Sequence, residues 1–179
     1  KIAIAHYQFE TIHPFLDGNG RIGRLLITLF LVKEGLLEKP LLYLSTFFET
    51  PKDLYYDNLS AIRTKNDMAQ WIKYFLVGIE QTASLAVETL SSILEFKNET
   101  ENLIRGTYRT RSTNAIIVFH RLLENPYTTI DQVASLCGIT FTSASTLVKL
   151  LVKDGLLFEI TGQSRNRLFV CEQYLNLFR

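Results

Sequence analysis

Cysteine and histidine are scarce in this sequence, with two Cys and three His among 179 residues. The two cysteines, Cys137 and Cys171, have no partners at metal-ligand spacing, and both sit in apolar company. They read as buried free thiols in a reducing compartment, not as a zinc site. An excess of one charge is missing too: 19 Lys and Arg stand against 18 Asp and Glu, a formal net charge of +1. That balance offers no bulk drive toward nucleic acid or a membrane surface, so any basic patch must be local. No run of about twenty apolar residues and no signal-peptide pattern occurs, which leaves no membrane partner and a cytoplasmic location as the expectation. An initiator methionine is absent and the first residues already read as helix, as in a fragment of a longer protein. What is present is room for a core. The 179 residues, 47% of them hydrophobic, suffice for one domain of about 100 residues and a smaller second one.

The chemistry is concentrated in His13-Pro14-Phe15-Leu16-Asp17-Gly18-Asn19-Gly20-Arg21-Ile22-Gly23-Arg24. Pro14 and the Gly18-Asn19-Gly20 run exclude helix through its middle, while Ile22, Leu25, Leu26, Leu29 and Phe30 follow a helical period from Arg21 onward. A glycine loop therefore feeds a helix N-terminus, where unpaired backbone N–H groups and a partial positive charge favour an anion. Arg21 and Arg24, three apart on the first turn, share a face from which each could fork onto a phosphate oxygen. Two such clamps imply a polyphosphate. Asp17, just ahead of the loop, is placed to hold Mg2+ between phosphates, since a hard cation prefers oxygen ligands. His13 completes the set, because an imidazole can take a proton from a hydroxyl that attacks phosphorus. A dinucleotide fingerprint, Gly18-x-Gly20-x-x-Gly23, is formally present, but it must follow a buried strand, and residues 2 to 12 read as helix. A plain glycine turn between two helices would explain the glycines without the flanking chemistry.

The stretch resembles the signature of the Fic family, His-x-Phe-x-Asp/Glu-Gly-Asn-Gly-Arg-x-x-Arg, at every fixed position. The resemblance implies transfer of AMP from ATP to a Ser, Thr or Tyr hydroxyl of a target protein, with pyrophosphate released. It makes His13 the general base, Asp17 the Mg2+ ligand, Gly18, Asn19 and Gly20 the anion nest, Arg21 the clamp on the inner phosphates and Arg24 the clamp on the terminal one. The arginine-bearing loop argues against the kinase-like branch of the family, which has alanine and lysine there. Removal of AMP from a protein uses the same parts. The resemblance covers residues 1 to about 105, without the core's earlier helices and its substrate-aligning β-hairpin flap. Many relatives carry an inhibitory helix, Ser/Thr-x-x-x-Glu-Gly/Asn, whose glutamate pairs with the second arginine. Ser45 to Glu49 approaches that pattern but ends in Thr50 and lies out of place, which reads as coincidence, with Arg24 the partner of any such helix in a missing N-terminal part.

The remaining pattern predicts a mainly α protein. Helix is expected up to Ile12, with His6 a surface or packing histidine, and then from Arg21 to about Glu34. That second helix is so apolar that it should be enclosed on most sides, Leu26 and Phe30 included. A connector through Leu44, Ser45–Glu49 and Pro51 leads to a helix over about 52–64. There Tyr55 and Tyr56 match a family tyrosine pair beside the nucleotide base, although tyrosines at this spacing also pack cores. Asn66-Asp67 should cap a long helix through Val87 that frays into an exposed, charged end over 90–103. Gly106 and the run 107–113 mark the expected boundary, giving a Fic-type helical bundle over 1–106 and a second domain over 107–179.

That second domain reads as helix, helix-turn-helix and hairpin, resembling a small winged helix-turn-helix domain. Thr129 caps its second helix, Gly138 turns into the third, and Gly155 stops it. Ser143 and Lys149 on the third helix, with Arg165 and Arg167 on the wing, are the candidate DNA contacts. An arginine-poor third helix and the acidic neighbours Asp154 and Glu159 argue the other way, toward dimerisation or target docking. Three functions are thus carried forward: a protein adenylyltransferase using ATP and Mg2+, a nucleotide-sensing DNA-binding regulator, and a scaffold with a dead site, which the intact signature disfavours.

Overall fold

The computed structural model describes residues 1–49 and 52–178, and the chain divides by its contacts into two units, Lys1–Glu88 and Thr89–Arg179. The protein is mainly α, with a small antiparallel sheet near the C-terminus. Among the described residues no single helix is long and apolar enough to cross a membrane.

In the first unit, α1 (Ile2–Ile12) buries Ala3 and His6 and stops at His13, whose backbone is left-handed (φ 49°, ψ 59°) while its N–H still bonds Phe9 O. The next helix, α2 (Asn19–Lys33), begins two residues before the expected Arg21, because Gly18 at φ 81° takes the cap and the rest of the glycine run enters the first turn. It buries Asn19, Gly23, Ile27, Thr28 and Leu31, one stripe at helical spacing. The opposite flank is open: Leu25, Leu26 and Leu29 are exposed. The expected enclosure of α2 on most sides is therefore not met, since a nearly uninterrupted apolar run carries no contrast from which to read a face. Residues Ser45–Glu49, expected as connector, form the short helix α3, and α4 spans Lys52–Lys65. The connector position Pro51 lies outside the described residues. The long α5 runs Met68–Thr107, and Asp67 caps it by accepting from the Gln70 N–H at 2.9 Å.

The core of this unit gathers Ile27, Leu31, Leu44, Phe48, Tyr55, Ile62, Trp71 and Phe75. Two polar ties cross it: Trp71 Nε1 donates to Ala3 O at 2.8 Å, and Thr28 Oγ1 to Leu42 O at 2.7 Å.

In the second unit the C-terminal part of α5 turns Phe96, Thr100 and Ile104 inward at four-residue spacing, with Thr100 and Ile104 buried and Phe96 against Phe119. The expected exposed end thus has a packed face, and Gly106 lies in the helix's last turn. A 3-10 turn (Arg109–Arg111) leads to α6 (Ser112–Glu124), β1 (Tyr127–Thr129), α7 (Ile130–Cys137) and α8 (Phe141–Lys153). Thr129 and Gln132 form a reciprocal capping box at α7, Gly138 ends it at φ 62°, and Thr140 caps α8. The chain turns through 112° between α7 and α8, within the range of helix-turn-helix pairs. Strands β2 (Phe158–Glu159) and β3 (Leu168–Val170) are shorter than the apolar runs containing them, and the sheet order is β1-β3-β2 with Thr128 opposite Phe169. Neither β1 nor the final α9 (Glu172–Asn176) was expected; β1 is three residues long and its last residue doubles as a helix cap. Cys171 is buried and Cys137 partly so, both free.

Candidate active site

Among the described residues four helices build the cleft in the first unit. The end of α1 supplies His13, the loop and first turns of α2 supply Asp17, Gly18, Asn19, Gly20, Arg21 and Arg24, and α3 with α4 supply Glu49, Lys52, Tyr55 and Tyr56. All these residues line one open cleft of about 650 Å³. Every nucleotide, metal and base candidate read from the sequence for this unit is among them.

The loop is braced from within. Asn19 is buried, and its side chain accepts from Phe15 N–H and donates to Phe15 O, closing the bend that carries Asp17. Asn19 therefore spends its amide on the loop, and what it turns to the cleft is backbone. Gly18 N–H donates to Asp17 Oδ1 at 2.6 Å, and the first helical bond runs from Ile22 N–H to Gly18 O. The N–H groups of Asn19, Gly20 and Arg21 thus have no backbone partner among the described residues, as the first turn of a helix requires. The two glycines admit the guanidiniums: a Cβ on Gly20 would come within 3.3 Å of Arg24 NH1, and one on Gly18 within 3.5 Å of Arg21 NH2.

The two arginines are held differently. Arg21 is exposed and meets Asp17 at 3.4 Å, a loose pair between groups that are 76% and 93% exposed. Arg24 is 17% exposed; its Nε donates to Ser45 Oγ at 3.0 Å and its NH2 meets Glu49 Oε1 at 2.8 Å. Ser45 and Glu49, set aside in the sequence as a coincidental pattern, are the two partners of Arg24. Thr50, on which that judgement partly rested, lies outside the described residues. The i,i+4 spacing of a serine and a glutamate on one short helix was the signal available.

Behind the cleft lies His6, whose depth in the core the sequence did not reveal. It is fully buried, its ring near-parallel to those of Phe48 and Trp71, with Nδ1 3.1 Å from Gly23 O and Nε2 3.0 Å from the Tyr55 hydroxyl. A carbonyl only accepts, so Nδ1 carries the proton and Tyr55 donates to Nε2. Burial is the main cause that lowers the His6 pKa to about 4, with the Arg24 charge adding to it and the Gly23 carbonyl opposing. Burial likewise raises the Tyr55 hydroxyl far above its ordinary value, helped by the Glu10 carboxylate. Glu10 has one buried oxygen without a partner, and burial raises its pKa while the nearby His13 and Arg24 pull it down. The tyrosine pair is divided: Tyr55 is spent on the core and on His6, whereas Tyr56 is exposed, with Lys52 Nζ 5.8 Å from its ring centre. Arg63 donates to Thr11 at 3.2 Å.

Among the described residues no group of three or more His, Cys, Asp or Glu could hold a metal. A magnesium ion bound chiefly through substrate phosphates and water needs only one carboxylate, and exposed Asp17 fits that demand.

In the second unit Arg165 and Arg167 line a cavity of about 390 Å³ with Thr129, Asp131 and Phe141, at the starts of α7 and α8. Arg167 also sits 5.5 Å over the Phe169 ring. Ser143 accepts from Thr140 Oγ1 at 3.0 Å as part of the α8 cap, and Lys149, exposed further along α8, does not line this cavity.

The model of the Fic/DOC family matches residues 1–31. A probable protein adenylyltransferase of Aquifex aeolicus is 60% identical over 37 residues, which is 21% of this chain and 12% of that protein. Protein adenylyltransferase fic-1 of Caenorhabditis elegans is 40% identical over 63 residues, covering 35% of this chain and 12% of its own length. Protein adenylyltransferase Fic of Drosophila virilis is 28% identical over 103 residues, 56% of this chain and 20% of its own. The aligned part thus spans no more than a fifth of these relatives.

Proposed function

We propose, from the match of residues 1–31 to the model of the Fic/DOC family, that this chain carries the catalytic site of a protein adenylyltransferase, moving AMP from ATP to a hydroxyl side chain of a target protein. The observation that supports it best is the single cleft that holds an imidazole, a row of unpartnered amides and two guanidiniums together. The triphosphate lies over the first turn of α2, with the N–H groups of Asn19, Gly20 and Arg21 and the helix dipole taking its charge. Arg21 holds the inner phosphates and Arg24 the terminal one, so the α-phosphorus faces His13. The target hydroxyl gives its proton to His13 as its oxygen attacks in line, and pyrophosphate leaves. Asp17 would hold Mg2+, which when bound neutralises developing phosphate charge. Tyr56 offers the open ring for the base, while Tyr55 fixes the cleft wall.

In this reading His13→Ala abolishes AMP transfer but leaves ATP binding in place. Loss of binding in that variant would put His13 in the wrong role. Removal of AMP from a protein runs through the same groups, and incubating the chain with an AMP-modified protein separates the two directions. For residues 107–179 we read a winged helix-turn-helix module, supported by the turn between α7 and α8 and by the hairpin. Arg165 and Arg167 are its cationic edge toward DNA, and footprinting without protection at low salt would leave it a protein-docking module.

A further inference from the structure

Among the described residues Arg24 is the one cleft cation that is both largely buried and tied to side chains from another element. A guanidinium has five N–H donors in a rigid fork. Ser45 takes Nε and Glu49 takes one edge of NH2, which leaves NH1 unengaged by either. NH1 is also the atom nearest the place a Cβ on Gly20 would take, 3.3 Å away, so it lies beside the glycine loop. The two contacts thus consume the donors that face α3 and leave those that face the loop.

We propose that Ser45 and Glu49 are positioning residues, which hold the Arg24 guanidinium beside Gly20 so that its free edge meets the terminal phosphate of a bound triphosphate. This rests on the nucleotide reading above and adds to it the device that presets one clamp. The opposite role, a carboxylate that occupies Arg24 and keeps phosphate out, is disfavoured by three features. Ser45 carries no charge with which to compete, yet it fixes the same side chain. Glu49 is half exposed, so water screens its repulsion of an incoming anion. Donors remain on the phosphate side. Arg21, loosely paired at 3.4 Å, is the contrasting mobile clamp. Freezing a long side chain before the ligand arrives removes an ordering cost that binding would otherwise carry.

The test is calorimetric titration of the full chain with ATP and with AMP, which lacks the terminal phosphate and the one before it. Ser45→Ala and Glu49→Ala each weaken ATP binding about 3- to 10-fold, the scale of ordering one long side chain, and leave AMP binding unchanged. Glu49→Gln, which keeps an acceptor oxygen, restores most of the loss. Tighter ATP binding by Glu49→Ala and Glu49→Gln would overturn the proposal in favour of a blocking carboxylate. Equal losses for ATP and AMP would reduce the contacts to general packing and overturn it as well. A wild-type chain that binds neither nucleotide sinks the nucleotide reading itself, and this proposal with it.

Discussion

Acid should weaken the first unit through His6, by an amount that can be worked out. In the folded chain burial among Phe48, Tyr55, Trp71 and Phe75 lowers its pKa to about 4 from 6.5. The unfolded chain takes up the proton as pH falls through about 6.5, whereas the folded chain refuses it until about 4. The depressed pKa therefore leaves stability whole above pH 6.5 and erodes it from there down to about 4. A gap of roughly 2.5 units at 1.36 kcal/mol each corresponds to about 3 kcal/mol in total. Trp71, the lone tryptophan, is fully buried and stacked 6.1 Å from His6, so its fluorescence reads the unfolding of this unit. Urea titrations at pH 7 and pH 4.5 should show the wild-type midpoint falling further than that of His6→Gln, by about 1 to 2 M at ordinary denaturant slopes. Glutamine keeps a donor and an acceptor but cannot titrate. Equal falls in the two proteins, or a wild-type midpoint unmoved by acid, would refute the reasoning.

Three further outcomes follow from the packing in and around α2. Gly23→Ala places a Cβ 2.4 Å from Glu10 Oε1, 3.1 Å from His6 Cε1 and 3.2 Å from Phe9 Cδ1, so thermal melts should show a loss of about 1–3 kcal/mol. Ile27→Ala, at a fully buried site, should cost about 2–5 kcal/mol in denaturant titrations. Leu26→Ala, one residue earlier on the open flank, should stay within about 1 kcal/mol.

The twelve residues from His13 to Arg24 were readable because their chemistry is contiguous and their geometry is dictated by the glycines among them. Local signals also sufficed for the two ends of α7, where Thr129 and Gly138 act on neighbours a few residues away. What escaped depends on distance along the chain. Arg24 finds Ser45 across 21 residues, and His6 finds Tyr55 across 49, and no periodicity encodes such meetings. Tyr55 and Tyr56 show the same limit at the smallest scale. Adjacent residues on a helix point about 100° apart, so packing alone decides which ring is buried. The open flank of α2 was invisible for the opposite reason, too many apolar residues to single out a face.

The residue that ends α1 is also the residue offered as the proton acceptor. A left-handed backbone costs a histidine about 1 kcal/mol that glycine or asparagine would largely avoid, so chain preference and chemistry pull against each other at this position. Where the first helix stops also decides where the imidazole stands. One added residue in that helix would swing the ring a quarter-turn or more about its axis, away from the amides it must face.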